Sequence, residues 1–304
     1  MRDVYFLLSP CVLLLDLAGP ADAFRLAGQH GAAFRLHYVS ASTEVETSLG
    51  LPLGGLAPLP DALPDGAVVV APGSTPSIEA YARPEARRVV AWVASHRHRT
   101  GMRWAGVCSG SLLLAEAGLF DGRACTSHHS LIERLRALAP AARVQENRVF
   151  VADGPCYSSA GITAGIDLAL HLIAELADPA VARAVAREMV VYFRRSPQDP
   201  ELSPWLAWRN HLHPALHRAQ DLICSDPVRD WPLDELAARV HVSARHLSRL
   251  FRDQAGVSAH DYHRALRLTL AEQWRSAGLS KEKAALSAGF SSARQMNRAA
   301  AAHD

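Results

Sequence analysis

Trp104-Ala-Gly-Val-Cys-Ser-Gly-Ser-Leu-Leu-Leu-Ala-Glu-Ala-Gly-Leu-Phe120 joins a short hydrophobic run to an apolar helical stretch through a Gly-x-Cys-x-Gly turn. The run Trp104–Cys108 reads as a buried strand and Ser111–Phe120 as the helix that follows it. Glycines at 106 and 110 permit a tight turn, the geometry of a nucleophile elbow, with Cys108 at its apex. A helix N-terminus lowers a nearby thiol pKa and offers free amides to a carboxylate or other anion. The plain alternative is a small cysteine buried at a crowded turn.

Similar apolar runs stand at Val4–Leu8 and Val68–Ala71, with a weaker one at Val149–Val151. Most are followed by Gly or Pro and then a helical pattern. That rhythm predicts a doubly wound, mainly parallel α/β sheet of flavodoxin-like type. With 49% hydrophobic and 20% charged residues, the 304-residue chain has globular composition and is too apolar for disorder. The apolar stretch Val4–Leu15 is too short to span a bilayer and lacks a cleavage motif, so a buried strand explains it better than a signal peptide. Five scattered cysteines without a Cys-x-x-Cys pair exclude a zinc ribbon or disulfide scaffold and point to a reducing, cytoplasmic setting. No metal, no cofactor and no membrane partner is expected. Cys125 and Cys156 are expected to be buried packing.

The α/β rhythm stops at Arg194-Arg-Ser-Pro-Gln-Asp-Pro-Glu-Leu-Ser-Pro204, whose three prolines read as a boundary. The expected organisation is a domain over 1–195, a linker over 196–204 and a helical domain over 205–304. Residues 1–195 carry 18 basic and 18 acidic side chains, whereas 233–304 carry 11 basic and 7 acidic. The basic surplus sits where a nucleic-acid-binding module would use it.

The helical part contains an internal repeat. Leu233-Asp-Glu-Leu-Ala-Ala-Arg-Val-His-Val-Ser-Ala-Arg-His-Leu-Ser-Arg-Leu-Phe251 predicts two short helices around a turn at His241-Val242, with Ser243 capping the second helix. In Lys281-Glu-Lys-Ala-Ala-Leu-Ser-Ala-Gly-Phe-Ser-Ser-Ala-Arg-Gln-Met-Asn-Arg298, Ala285 takes the place of Ala237. Gly289-Phe290 takes the place of the turn, and Met296-Asn297-Arg298 that of Leu247-Ser248-Arg249. Both units fit a helix-turn-helix, whose second helix enters a major groove.

These paired units resemble the AraC/XylS-type DNA-binding domain. Carried over residue by residue, the resemblance implies contacts to double-stranded promoter DNA from Arg245, Ser248 and Arg249 in the first unit. In the second it implies Ala293, Arg294, Asn297 and Arg298, with His246 and Gln295 as further helix-surface contacts. Arginine pairs with guanine and asparagine with adenine, although arginine also binds phosphate. Ala284 stands where the family carries a large aliphatic residue and Ala300 where it carries Phe, and the family's Phe-Gly…Pro…Tyr-Arg continuation is missing. Two such truncations predict a second unit that is less stable than the first or is supported by unusual packing.

In the first domain, Asp16-Leu-Ala-Gly-Pro20, Ala71-Pro-Gly-Ser74, Gly106-Val-Cys-Ser-Gly110, His128 and Ser159-Ala-Gly-Ile-Thr-Ala-Gly-Ile-Asp167 resemble the PfpI-like branch of the class I glutamine-amidotransferase-like superfamily. The likeness covers about residues 4–192, and with the AraC-type tail the whole chain resembles the GlxA-type transcriptional regulators. It implies one ligand pocket built from Asp16, Gly73, Ser74, Cys108, Ser109 and His128, with Ser159, Ala160 and Gly161 at its rim. It also implies a homodimer through this domain. Ser109 stands where hydrolytic relatives place His, and no late His-x-Glu triplet exists, so no catalytic residues are assigned. The expected function is transcriptional regulation by a small metabolite, carboxylate-bearing or amino-acid-like, sensed without catalysis. The alternative is a cysteine-dependent hydrolase or hydratase using Cys108 and His128. Cys11 replaces a family Gly after Pro10, and His129 replaces Trp and is expected to face outward.

Overall fold

The computed structural model describes residues 1–191, 208, 209, 211, 213–276 and 278–301. The expected boundary at Arg194–Pro204 and the linker 196–204 lie outside the described residues. The chain divides into two compact units, Met1–Pro197 and Gln198–Asp304.

Beside the short strands β3 (Glu44–Glu46), β4 (Pro52–Gly54), β8 (Ala124–Cys125) and β9 (Arg143–Val144) and the short helices α2 (Ser77–Ala82) and α5 (Ile132–Leu138), the first unit is built on seven strands: β1 (Arg2–Leu8), β2 (Phe34–Ser40), β5 (Ala57–Pro58), β6 (Val68–Ala71), β7 (Arg103–Val107), β10 (Phe150–Asp153) and β11 (Cys156–Ser159). Their order is β10-β11-β7-β6-β1-β2-β5, parallel throughout except for the antiparallel edge pair β10–β11. A pleated strand sends alternate side chains to opposite faces, and β1 shows this directly. Val4, Phe6 and Leu8 enter one core with Phe24 of α1 (Leu14–Gln29) and Leu168 and Leu172 of α6 (Ala164–Leu176). Tyr5 and Leu7 enter the other, with Val89 and Val93 of α3 (Pro84–His96) and Leu112–Leu114 of α4 (Gly110–Glu116). Both faces are covered, which is why the central strands are apolar without alternation.

The expected strand Trp104–Cys108 is shifted by one residue: β7 ends at Val107, because Cys108 turns left-handed at φ +56°. The weak run at Val149–Val151 is realised as Phe150–Asp153. Three strands of the sheet escape the pattern reading, β5 because two residues show no period. In β2 charged and polar residues interrupt the apolar ones, and β11 is Cys-Tyr-Ser-Ser, polar yet fully buried because its backbone is laddered to β7.

The second unit carries the repeat as two helix pairs, Leu233–Arg239 with Ala244–Leu250, and Lys281–Ser287 with Ala293–Ala301. The long helix Ala259–Ser276 lies between them in sequence. Leu236, Leu247, Phe251, Tyr262 and Leu266 fill the core beneath the first pair. Among the described residues the buried cluster beneath the second is smaller, Ala271, Ala285, Ala288, Phe290 and Met296, with Leu268 and Leu270 packed partly against it. Ala284 is fully buried, but Ala300 is exposed on the last turn and leaves no vacant core position there, contrary to the expectation of two truncations.

Candidate functional site

Cys108 is the hinge of the first unit's site. Its N–H donates to Ser159 O (3.1 Å), tying the elbow to the end of β11, and its carbonyl accepts from Ser127 Oγ (2.8 Å). The thiol side chain is only 6% exposed. Gly161, at φ +115°, lies directly over it: a Cβ there would fall 2.5 Å from Cys108 Cβ and 2.7 Å from Sγ. Only glycine satisfies both the backbone angle and this approach.

Asp16, fully buried at the start of α1, ties together the loops around the thiol. Oδ2 accepts from Gly73 N (3.1 Å) and Oδ1 from Ile162 N (3.1 Å). Burial pushes its carboxyl up to about 6, against the opposing pull of these two amides and of a hydrogen bond with Cys108. Gly73 is squeezed between Asp16, Ser109 and Cys108, where a Cβ would stand 2.7–3.0 Å from all three. Ser109 Oγ donates to Ser74 O (2.8 Å), accepts from Ser74 N (2.8 Å) and lies 3.3 Å from Tyr81 Oη.

The structure therefore brings Asp16, Gly73, Ser74, Cys108, Ser109, Ser159 and Gly161 together. His128 directly follows Ser127, whose hydroxyl bonds the Cys108 carbonyl. Its Nδ1 faces Ser130, 2.8 Å from Oγ, where it caps the following 3₁₀ turn. His129 is exposed, and Cys125 and Cys156 are buried, with burial pushing their thiols up to about 12 and about 11. Sequence reasoning missed Tyr81, Ser127, Ile162 and Ser9. Ile162 holds φ +47°, a strained angle for a β-branched residue, and no local pattern signals it. The buried hydroxyls of Ser9 and Ser159 have no hydrogen-bond partner among the described residues, and Ser159 is tied through its carbonyl to the Cys108 amide.

In the second unit Arg245, Arg249, Arg294, Asn297 and Arg298 are all exposed, while His246 and Ser248 are half-buried. Ser243 caps its helix by accepting from His246 N (3.2 Å), and Ser292 does the same for Gln295 N (3.2 Å). Each turn has one left-handed residue, His241 at φ +60° and Gly289 at +84°. The repeat spacing grows by one residue between turn and cap, and Ser291 is the addition. Gln295 Oε1 accepts both Ser291 N–H (2.6 Å) and Ser291 Oγ–H (3.0 Å). The Gln295 carbonyl oxygen thus serves the turn. Arg249 donates to His246 Nδ1 (3.2 Å), which fixes that side chain along the helix.

A profile described as the DJ-1/PfpI family matches residues 2–175, more than half of the sequence. The chain belongs to the DJ-1/PfpI family. A helix-turn-helix domain profile matches residues 236–303. The HTH-type transcriptional regulator CdhR of Pseudomonas aeruginosa is 33% identical over 307 aligned positions, covering 98% of this chain and 87% of that protein. The isonitrile hydratase of Pseudomonas putida is 35% identical over 193, covering 62% of this chain and 77% of the hydratase. A crystal structure of a THiJ/PfpI family protein from Pseudomonas syringae superimposes with a TM-score of 0.56 at 27% identity, over 74% of this chain and 86% of that one. Among the described residues no helix is long and apolar enough to cross a membrane.

Proposed function

We propose that the protein is a sequence-specific DNA-binding transcriptional regulator of the cytoplasm, whose DJ-1/PfpI unit senses a small metabolite and pairs into a homodimer. The observation that carries this reading is the duplicated helix-turn-helix with exposed arginines at matching positions, Arg249 and Arg298, Arg245 and Arg294. The likeness of nearly the whole chain to the regulator CdhR supports it. Asp16, Gly73, Ser74, Cys108, Ser109, His128, Ser159 and Gly161 form the sensing site, and the unpartnered, buried hydroxyl of Ser159 favours a ligand with acceptor oxygens, such as a carboxylate. Ligand acts by binding one arrangement of the protein better than another. Binding of the purified protein to labelled DNA upstream of its own and neighbouring genes, with competitor across a salt series, tests the reading. Specific, salt-dependent binding supports it, and equal weak binding to all sequences refutes it.

A second reading has its own support in the hydratase likeness. Cys108 at an elbow beside a buried carboxylate would serve as the nucleophile of a hydratase, with His128 as its base. Its test is turnover of an isonitrile by the wild-type protein and loss of that turnover in Cys108→Ser.

A further inference from the structure

At the opposite end of β7 from Cys108, the first unit has a cavity of about 210 Å³. Its floor is Trp104, Leu119 and Cys156, at the amino-terminal starts of β7 and β11, and its walls carry Arg97, His98, Arg99 and Arg123 against the single carboxylate of Asp121. That lies below the roughly 300–1,000 Å³ of drug-sized ligand pockets and is the scale of a small anion.

We propose that this cavity binds a compact phosphate-type dianion, inorganic phosphate or a small phosphate monoester, independently of the Cys108 site. Arg97 is pre-set for it. Nη1 donates to Ala117 O (2.8 Å) and Nε to His98 Nε2 (2.9 Å), so the guanidinium is held with Nη2 still to donate, and the His98 ring proton is placed on Nδ1. Arg123 has no ion-pair partner among the described residues; Asp153 is engaged by Arg143 (2.8 Å) and by the amide of Ala124 (2.6 Å). Arg99 lies 3.9 Å from Asp65, which is 96% exposed, a pair too solvated to neutralise it. Two glycines make space for the two guanidinium heads. A Cβ at Gly118 would run into Arg97 Nη1, and one at Gly154 would stand 2.9 Å from Arg123 Nη1. Planar guanidinium forks over an apolar floor suit a tetrahedral anion that accepts several charge-assisted bonds at once.

The test is calorimetric titration of the full-length protein with inorganic phosphate and, separately, glycerol 3-phosphate, at constant ionic strength in chloride. The titrations are run in the Arg245→Ala/Arg249→Ala/Arg294→Ala/Arg298→Ala background so that the proposed DNA-binding arginines do not contribute. One saturable site per chain is expected. Affinity should fall at least ~10-fold in Arg123→Gln, whose wild-type side chain makes no hydrogen bond among the described residues, recover in part in Arg123→Lys, and stay unchanged in Cys108→Ser. Binding of the monoester alone would identify an organic phosphate as the ligand. No saturable heat with either probe, or an affinity indifferent to Arg123→Gln, overturns the proposal.

Discussion

The Asp16 carboxylate accepts the amide of Ile162 at 3.1 Å across 146 residues, and with its other oxygen accepts Gly73 N. One buried side chain therefore joins three loops that the sheet delivers to the thiol. The Ile162 turn, strained at φ +47°, is held down over Cys108 by that single acceptor. Removing it should release the turn.

Asp16→Asn keeps one acceptor oxygen and sets an NH₂ against the second amide, so it should cost about 1–3 kcal/mol at pH 4, where wild-type Asp16 is protonated. The same variant should speed reaction of Cys108 with a thiol reagent, read against the buried Cys125 and Cys156 as internal standards. Unchanged labelling would show that Asp16 does not hold the turn.

The pH dependence has a defined sign. The folded pKa of Asp16 is raised to about 6 from 3.8, so the folded state binds more protons than the unfolded one between those values. Its contribution is fully present below pH 3.8 and is lost as pH rises through about 6, at most about 3 kcal/mol. Urea titrations from pH 4 to 7 should show this decline in the wild type and its absence in Asp16→Asn.

The two helix-turn-helix turns invite a reciprocal exchange. His241 is exposed and left-handed, so His241→Gly should stabilise by roughly 0.5–1 kcal/mol. Gly289→Ala should destabilise by about 2 kcal/mol or more, since its Cβ would meet Val228 O at 2.8 Å in a strained backbone. Thermal unfolding of both variants checks the pair.

Arg249→Ala and Arg298→Ala should each weaken specific DNA binding by about 1–3 kcal/mol while moving stability by less than ~0.5 kcal/mol. A salt slope lowered by about one marks a phosphate contact; lost discrimination at one base pair marks a base contact. No change in affinity would place these arginines away from DNA.

Hydrogen exchange should rank the two units. Amides of Lys281–Ser287 and Ala293–Ala301, over a core of small side chains, should exchange faster than those of Leu233–Arg239 and Ala244–Leu250. Gln295→Ala should widen the gap by freeing the Ser291 amide, a loss of about 1 kcal/mol.

Much of this was legible in the residues themselves. Periodicity gave the repeat, because helical spacing and a capping serine are local properties, and Ser243 caps its helix as its position requires. The elbow was legible because two glycines around Cys108 have few other uses. Invisible were β11, whose polar Cys-Tyr-Ser-Ser run is buried only by its neighbours, and the serving of Ser291 by Gln295, which depends on side-chain reach. Ala300 shows the converse: the family resemblance, which has Phe there, implied a core site, but the helix turns it to solvent.

Sequence by itself determined the class of each unit and the identity of the thiol and the arginines, since these follow from short-range spacing and chemistry. The family resemblance named Asp16, Gly73, Ser159 and Gly161 for one pocket with Cys108, but tertiary structure alone decided their contacts and that Tyr81 and Ile162 belong with them. It also decided that Arg97 and Arg123 share a cavity at the far end of the same strand. A parallel sheet brings loops from distant parts of the chain to common edges, and no local pattern encodes which side chains meet there.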